Sequence, residues 1–214
     1  MYSKEIRPLN DKDVRNLRLG IAAARKQIKA ARKRAFIGGP IIIAVLWGLT
    51  LLFAGSSSAV TATLFWLLIG IPICIASGAD AIRPHRKRII LRETALSNGQ
   101  TEEIRIIADA MVDLEEVDDE GVCFAFQVDQ DRIVFVCGQD FYAGPKFPNT
   151  DFSIISIRTQ DGKLADLTIE KHGEKLRPLR KISAVARTPL RCPQHLELVP
   201  GKLDNIEAIL KETH

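Results

Sequence analysis

Charge is missing from the middle of this chain. Between Ala35 and Ala79 lie 45 consecutive residues without Asp, Glu, Lys or Arg, in a sequence of 214 that holds 30 Lys+Arg and 26 Asp+Glu elsewhere. That segregation excludes a simple soluble protein. Cysteine is scarce: four residues exclude a small disulfide scaffold, and fourteen Gly with ten Pro are too few for a low-complexity chain. A Walker loop, a dinucleotide fingerprint, a nucleophile elbow and an HExxH pair are all absent, so no motif names a reaction, and neither cofactor nor metal is expected.

What is present is long and apolar. As one helix the uncharged stretch would run roughly 67 Å, about twice the hydrocarbon thickness of a bilayer. Gly55-Ser56-Ser57-Ser58 divides it into two spans, 35–55 and 59–79, each long enough to cross once, with a turn at 56–58. So short a turn makes the two antiparallel. Arg25, Lys26, Lys29, Arg32, Lys33 and Arg34 precede the first span and Arg86, Lys87 and Arg88 follow the second, whereas the turn is uncharged, so the positive-inside rule places both termini in the cytoplasm. The expectation is an integral protein of the cell (inner or plasma) membrane, its basic flanks against anionic lipid headgroups. Trp47 and Trp66 fall at one level of such a hairpin, as packed partners, an outer anchor or lipid-facing bulk. No acidic or basic residue appears within the spans before Asp80 at the cytoplasmic edge, which argues against an ion or proton pathway.

Residues 1–34 carry a net charge of +8. Within them Val14, Leu17, Ile21, Ala24, Ile28 and Ala31 recur in steps of three and four, which predicts a basic amphipathic helix over about 13–34. A helix lying on the membrane, a short coiled coil and a nucleic-acid arm are the three readings. Position and charge favour the first, and the lack of interleaved aromatics disfavours nucleic acid.

After a basic linker, 80–92, residues 93–214 have a net charge of −8 and are long enough to fold as one cytoplasmic domain. Ser97 and Gln100 resemble a capping box before Ile104, Ile107, Ala108, Met111 and Leu114, predicting a helix over 101–114. Alternation then predicts a hairpin that turns at Gln130-Asp131 and pairs Val128 with Ile133, Phe126 with Phe135 and Phe124 with Cys137, which sets Cys137 on the apolar face and Cys123 on the other. A second hairpin, 151–159 with 163–171, turns at Asp161-Gly162. Stretches 176–185 and 195–199 read as further strands, and Leu203, Ile206, Ile209 and Leu210 as a terminal helix capped by Asp204 and Glu207. The expected fold is an α+β membrane protein: a two-helix transmembrane hairpin plus a mostly antiparallel cytoplasmic sheet or small barrel, with one flanking and one C-terminal helix. The meander and closing helix are similar to the general plan of pleckstrin-homology-like barrels, which by itself implies no ligand.

Candidate sites follow from side-chain chemistry. Cys192-Pro-Gln-His195 has the spacing of half a zinc site, and Cys192 with His172 or His195 is a formal thiol–imidazole pair. Asp113, Glu115, Glu116, Asp118, Asp119 and Glu120 form an acidic loop able to face the basic run Lys171, Lys175, Arg177, Arg180, Lys181, Arg187 and Arg191. The long connection 138–150 carries Phe141, Tyr142 and Phe147, expected as partner-binding aromatics or as a lid on the sheet. The function expected is a non-catalytic, membrane-anchored module that binds a protein partner or its own copies. The alternatives are an enzyme drawing on Asp140, Tyr142, His172 or His195, and an accessory subunit of a membrane complex.

Overall fold

A reciprocal cap starts the long helix. Asn10 Oδ1 accepts the Asp13 N–H at 2.8 Å and Asp13 Oδ2 accepts the Asn10 N–H at 3.1 Å, so two otherwise orphaned donors are satisfied at the amino end of α1, Asp11–Ala54. The computed structural model of the protein describes residues 1–54, 59–117 and 119–212, so the expected turn at 56–58 and Asp118 lie outside the described residues. It is a mixed α+β chain that divides into two compact units, one of Met1–Arg7, Glu102–Ser156 and Leu167–His214, the other of Pro8–Thr101 and Ile157–Asp166.

In the second unit α1 lies antiparallel to α2, Ala59–Phe65, and α3, Ile71–Asn98, which are joined by a π-turn at Trp66–Gly70. The contacts descend in register: Gly20 beside Arg92, Ala35 beside Gly78, Ile43 beside Gly70 and Thr50 beside Trp66. A Cβ on Gly20 would come within 2.6 Å of the Arg92 guanidinium, so a larger residue there would require the Arg92 side chain to shift. Arg92 then reaches Asp166 at 2.8 Å. The π-turn precedes Pro72, whose ring and missing N–H cannot take the α-helical bond to the Leu68 carbonyl.

Among the described residues one helix, Asp11–Thr50 within α1, is long and apolar enough to cross a membrane, and its most apolar window is entirely unburied. The preceding turns use their apolar stripe inside the protein. Leu17 packs with Ala95, Ile157 and Ala165, and Ile21 and Ala24 are buried. A helix lying flat on lipid needs that face free, so this expectation is corrected: the segment continues α1 and pairs with α3.

The strands form two sheets rather than one closed barrel. One has the order β1-β2-β6-β7, with β1 Tyr2–Pro8, β2 Gln100–Ile107, β6 Asp151–Arg158 and β7 Leu164–Lys171. The other has the order β8-β3-β4-β5-β9, with β3 Ala110–Leu114, β4 Val122–Asp129, β5 Arg132–Gly138, β8 Arg180–Ile182 and β9 Leu198–Pro200. It is antiparallel except for the β3–β8 pair. The 6–7 hairpin turns as expected, with Gly162 at φ +81° and its N–H bonded to the Thr159 carbonyl.

Three expectations in this region are corrected. The predicted flanking helix at 101–114 is two strands, β2 and β3, and Ser97 belongs to the carboxyl end of α3, where its hydroxyl donates to the Thr94 carbonyl. Ile104, Ile106 and Ala108 are buried at every second position while Arg105 points outward to Asp151, so the period is two. The first hairpin does turn at Gln130-Asp131, but a bulge between Gln127 and Asp129 shifts the ladder, pairing Phe126 with Val134, Ala125 with Phe135 and Cys123 with Cys137. The two cysteines thus share a face and form a disulfide, not the opposite placement expected. Of the later strands only Arg180–Ile182 and Leu198–Pro200 form, with a short helix α4, Ala184–Arg187, between them.

The bulge is tolerated because both faces of the five-stranded sheet are buried, so alternation alone does not choose a register. One face packs Phe124, Phe126, Val134 and Val136 against Ile104, Ile106, Phe152 and Ile154 of the other sheet. The opposite face packs Ala125, Ile133 and Phe135 under Leu203, Ile206 and Leu210. These last three belong to a 3₁₀ turn, Leu203–Asn205, and the terminal helix α5, Ile206–Glu212, as expected. No side-chain cap forms there; Glu207 pairs with Arg180 instead.

Candidate functional site

The connection 138–150 folds inward. Phe147 is buried against Phe124 and Phe152 at centroid distances of 5.8 and 5.2 Å, and Phe141 is buried and stacked on the His195 ring at 4.7 Å. Burial leaves neither ring a surface to offer. Tyr142, between them, is 53% exposed, and its hydroxyl donates to the Glu116 carboxylate at 3.0 Å, which raises the tyrosine pKa by stabilising the protonated form. Glu116 also accepts the Gly121 N–H, so the exposed ring is held in place by the acidic loop.

The acidic loop and part of the basic run meet within one unit. Lys181 pairs with Glu115 at 3.0 Å, and the Arg187 guanidinium, whose side chain is 3% exposed, reaches Glu120 at 3.3 Å and the Glu115 carbonyl at 2.8 Å. The Ala184 N–H at the start of α4 and the Lys181 ammonium hold the Glu115 carboxyl below its ordinary range. Lys175 donates instead to the Gly144 carbonyl and Arg191 pairs with Glu197. This network cross-braces loops and leaves Arg187 with its donors occupied.

The thiol and the two imidazoles each have partners of their own. Cys192 donates to the Glu120 carboxylate at 3.0 Å, and burial together with that carboxylate pushes the thiol pKa up, the reverse of what a nucleophile needs. His195 Nδ1 accepts the Cys137 N–H at 3.2 Å, and burial lowers its pKa, favouring the neutral ring. Among the described residues no group of three or more His, Cys, Asp or Glu could hold a metal ion. His172 lies 3.2 Å from Ser153 Oγ, beside Asp151, whose carboxyl Arg105 holds low through a two-bond contact. That arrangement was not legible in the sequence, because only the sheet brings Arg105 of β2 and His172, just after β7, beside Asp151 and Ser153 of β6. It resembles a Ser–His–Asp set only in composition: Ser153 is 1% exposed and the Asp carboxylate is engaged by Arg105.

The remaining candidates lie on α1 and α3. Arg25, Lys26, Lys29, Arg32, Lys33, Arg34, Arg86, Lys87 and Arg88 are all exposed. Arg25 pairs with Glu93 at 2.9 Å. Beyond this collar the apolar side chains face outward, Phe36 by 83% and Leu52 by 78%. Two tryptophans are tied across the helices there, Trp47 Nε1 donating to Thr63 Oγ1 at 3.0 Å and Trp66 Nε1 to Thr50 Oγ1 at 3.3 Å. The threonines escaped the sequence reading, which weighed the tryptophans as packed partners, an outer anchor or lipid-facing bulk. Comparison with family models, with curated proteins and with solved structures finds no match.

Proposed function

We propose that this chain is an integral membrane protein whose paired helices cross the bilayer twice and hold a non-catalytic β domain at the cytoplasmic face, where it binds a protein partner or another copy of itself. The observation that carries this reading is the outward-facing apolar surface of α1 and α2 between two exposed basic flanks. Large apolar side chains left in water forfeit about 1.5–3 kcal/mol each, and a bilayer removes that cost. Tying each indole N–H to a threonine hydroxyl supports the same reading, since water is not there to accept it. The basic flanks support the cytoplasmic side and an association with anionic headgroups. Tyr142 is the exposed aromatic offered to a partner.

Alkaline extraction of membranes from expressing cells, with topology reporters fused at either terminus, tests the anchor. The protein should stay in the pellet and both reporters should report cytoplasm; release into the supernatant defeats the two-span reading. Trapping Cys123 and Cys137 in intact cells adds an independent readout of sidedness. The Cys123–Cys137 disulfide of the structure counts against the cytoplasmic side: cytoplasmic reductants should hold both thiols reduced, so that both are alkylated once the protein is denatured, and a disulfide trapped in intact cells would put the domain on the oxidising side. A photo-crosslinking residue in place of Tyr142 should capture one defined partner or a dimer, and capture that is no different from an exposed control position removes the loop from the contact.

A further inference from the structure

We propose that the cleft on α1 formed by Ala30, Lys33, Arg34, Ile37 and Gly38 seats a single anionic phospholipid. The proposal rests on the membrane reading above. The cleft has a volume of about 400 Å³ among these residues. They recur in steps of three, one, three and one, which puts them on one face of a continuous helix. The face is chemically divided along its length. Lys33 and Arg34 form no hydrogen bond or ion pair among the described residues, unlike Arg25, which Glu93 neutralises, and Arg83, which Asp80 neutralises. One turn further on, about 6 Å along the axis, Ile37 is exposed and Gly38 opens the floor: a Cβ placed on Gly38 meets nothing within 4 Å.

This sequence of chemistry matches one kind of molecule. A phosphodiester satisfies the ammonium of Lys33 and the guanidinium fork of Arg34 together. The glycerol and first acyl carbons of the same molecule then fall on Ile37 and the open face of Gly38, at the depth where the chain becomes uncharged as far as Ala79. A soluble phosphate leaves the apolar half uncovered. A zwitterionic lipid brings its own ammonium toward Lys33 and Arg34, where no carboxylate among the lining residues receives it. Net negative charge and an attached acyl chain are both required.

The test uses the full-length protein in nanodiscs of phosphatidylcholine alone or mixed with phosphatidylglycerol, with the lipids retained on release counted by native mass spectrometry. The native chain should retain one phosphatidylglycerol in preference to phosphatidylcholine. Gly38→Leu fills the floor without altering charge, its Cβ entering open space, and should lower that retention about tenfold, by the acyl contact of roughly two methylenes. Lys33→Gln with Arg34→Gln should lower it about thirtyfold, at ~1 kcal/mol for each basic group near the surface. Undiminished retention in Gly38→Leu overturns the cleft while leaving the membrane reading intact, because diffuse attraction to the basic flanks does not depend on that floor. Failure of the native chain to enter nanodiscs of either composition defeats the membrane reading and the cleft with it.

Discussion

Phe36 and Phe126 are the same side chain with opposite surroundings. On α1 the ring is 83% exposed, and on β4 it is fully enclosed between two sheets. The contrast extends to polar groups. In the β domain Lys181, Arg187 and Arg191 find carboxylates on neighbouring loops, whereas Lys33 and Arg34 beside the uncharged helical stretch have none among the described residues. In the β domain the two faces of the five-stranded sheet are covered, one by the second sheet and the other by the terminal helix. The helical pair leaves large apolar side chains facing outward, a surface that the proposed bilayer would cover. Average composition conceals this, since a hydrophobic content of 46% is ordinary for a globular protein and says nothing about which residues find a protein neighbour.

The largest effect should come from emptying the enclosed site. Phe126→Ala removes a ring packed against Phe124, Phe147 and Phe152 and is expected to cost about 3–5 kcal/mol, read by denaturant unfolding of the full chain in detergent. Phe36→Ala, made in the same background, should change that midpoint little because no protein cavity opens. Equal losses at the two positions would break the comparison and give Phe36 a structural neighbour.

A charge at an exposed apolar position sharpens it further. Ile42 is 57% exposed, so in a water-soluble protein Ile42→Lys would be nearly neutral. Within a bilayer the same change costs about 2.5–3.5 kcal/mol of insertion free energy. The proportion of chain resisting alkaline extraction should therefore fall, while the β domain, followed by its own unfolding transition, stays unchanged. Full retention of the variant in the membrane would mean that the segment around Ile42 faces water.

These regions also differed in how much the sequence disclosed. The uncharged stretch and its basic flanks are read directly, because charge depletion over 45 residues has few physical causes. The 6–7 hairpin was legible because Asp161-Gly162 specifies a turn and Gly162 takes the left-handed conformation that the turn demands. The helix expected at 101–114 failed for a definable reason: apolar residues at both faces of a strand pair produce three- and four-residue spacings by coincidence. The β-branched run Thr101, Ile104, Ile106 and Ile107 was the better signal. Strand β1 carries Lys4, Glu5 and Arg7, and its ion pairs with Glu102 and Glu103 are unforeseeable before the fold brings residues almost a hundred positions apart together. The candidate sites were least legible. Phe141 and Phe147 have the sequence context of an exposed loop, and only the three-dimensional neighbours Phe124, Phe152 and His195 decide that they are core.

The smallest predicted effect separates the two regions by pH. His195 lies under Phe141 in the β domain, and burial lowers its pKa in the folded chain relative to about 6.5 when unfolded. Between those two values the unfolded chain binds more protons than the folded one, so stability rises with pH across that interval. The contribution is complete above about pH 6.5 and is lost as pH falls through the folded value. The carboxyls of Glu115, Asp151 and Glu197 are likewise held low, by the Ala184 N–H with Lys181, by Arg105 and by Arg191, and their contributions disappear only in more acid solution, below about 4.3 for Glu and 3.9 for Asp. Unfolding of the full chain in detergent should therefore show two descending stages on acidification, the upper one belonging to His195. His195→Phe keeps an aromatic partner for Phe141 and removes the titrating group, so it should erase the upper stage and leave the lower one. An upper stage that survives this substitution would assign the pH dependence to another group and leave the buried imidazole without a part in it.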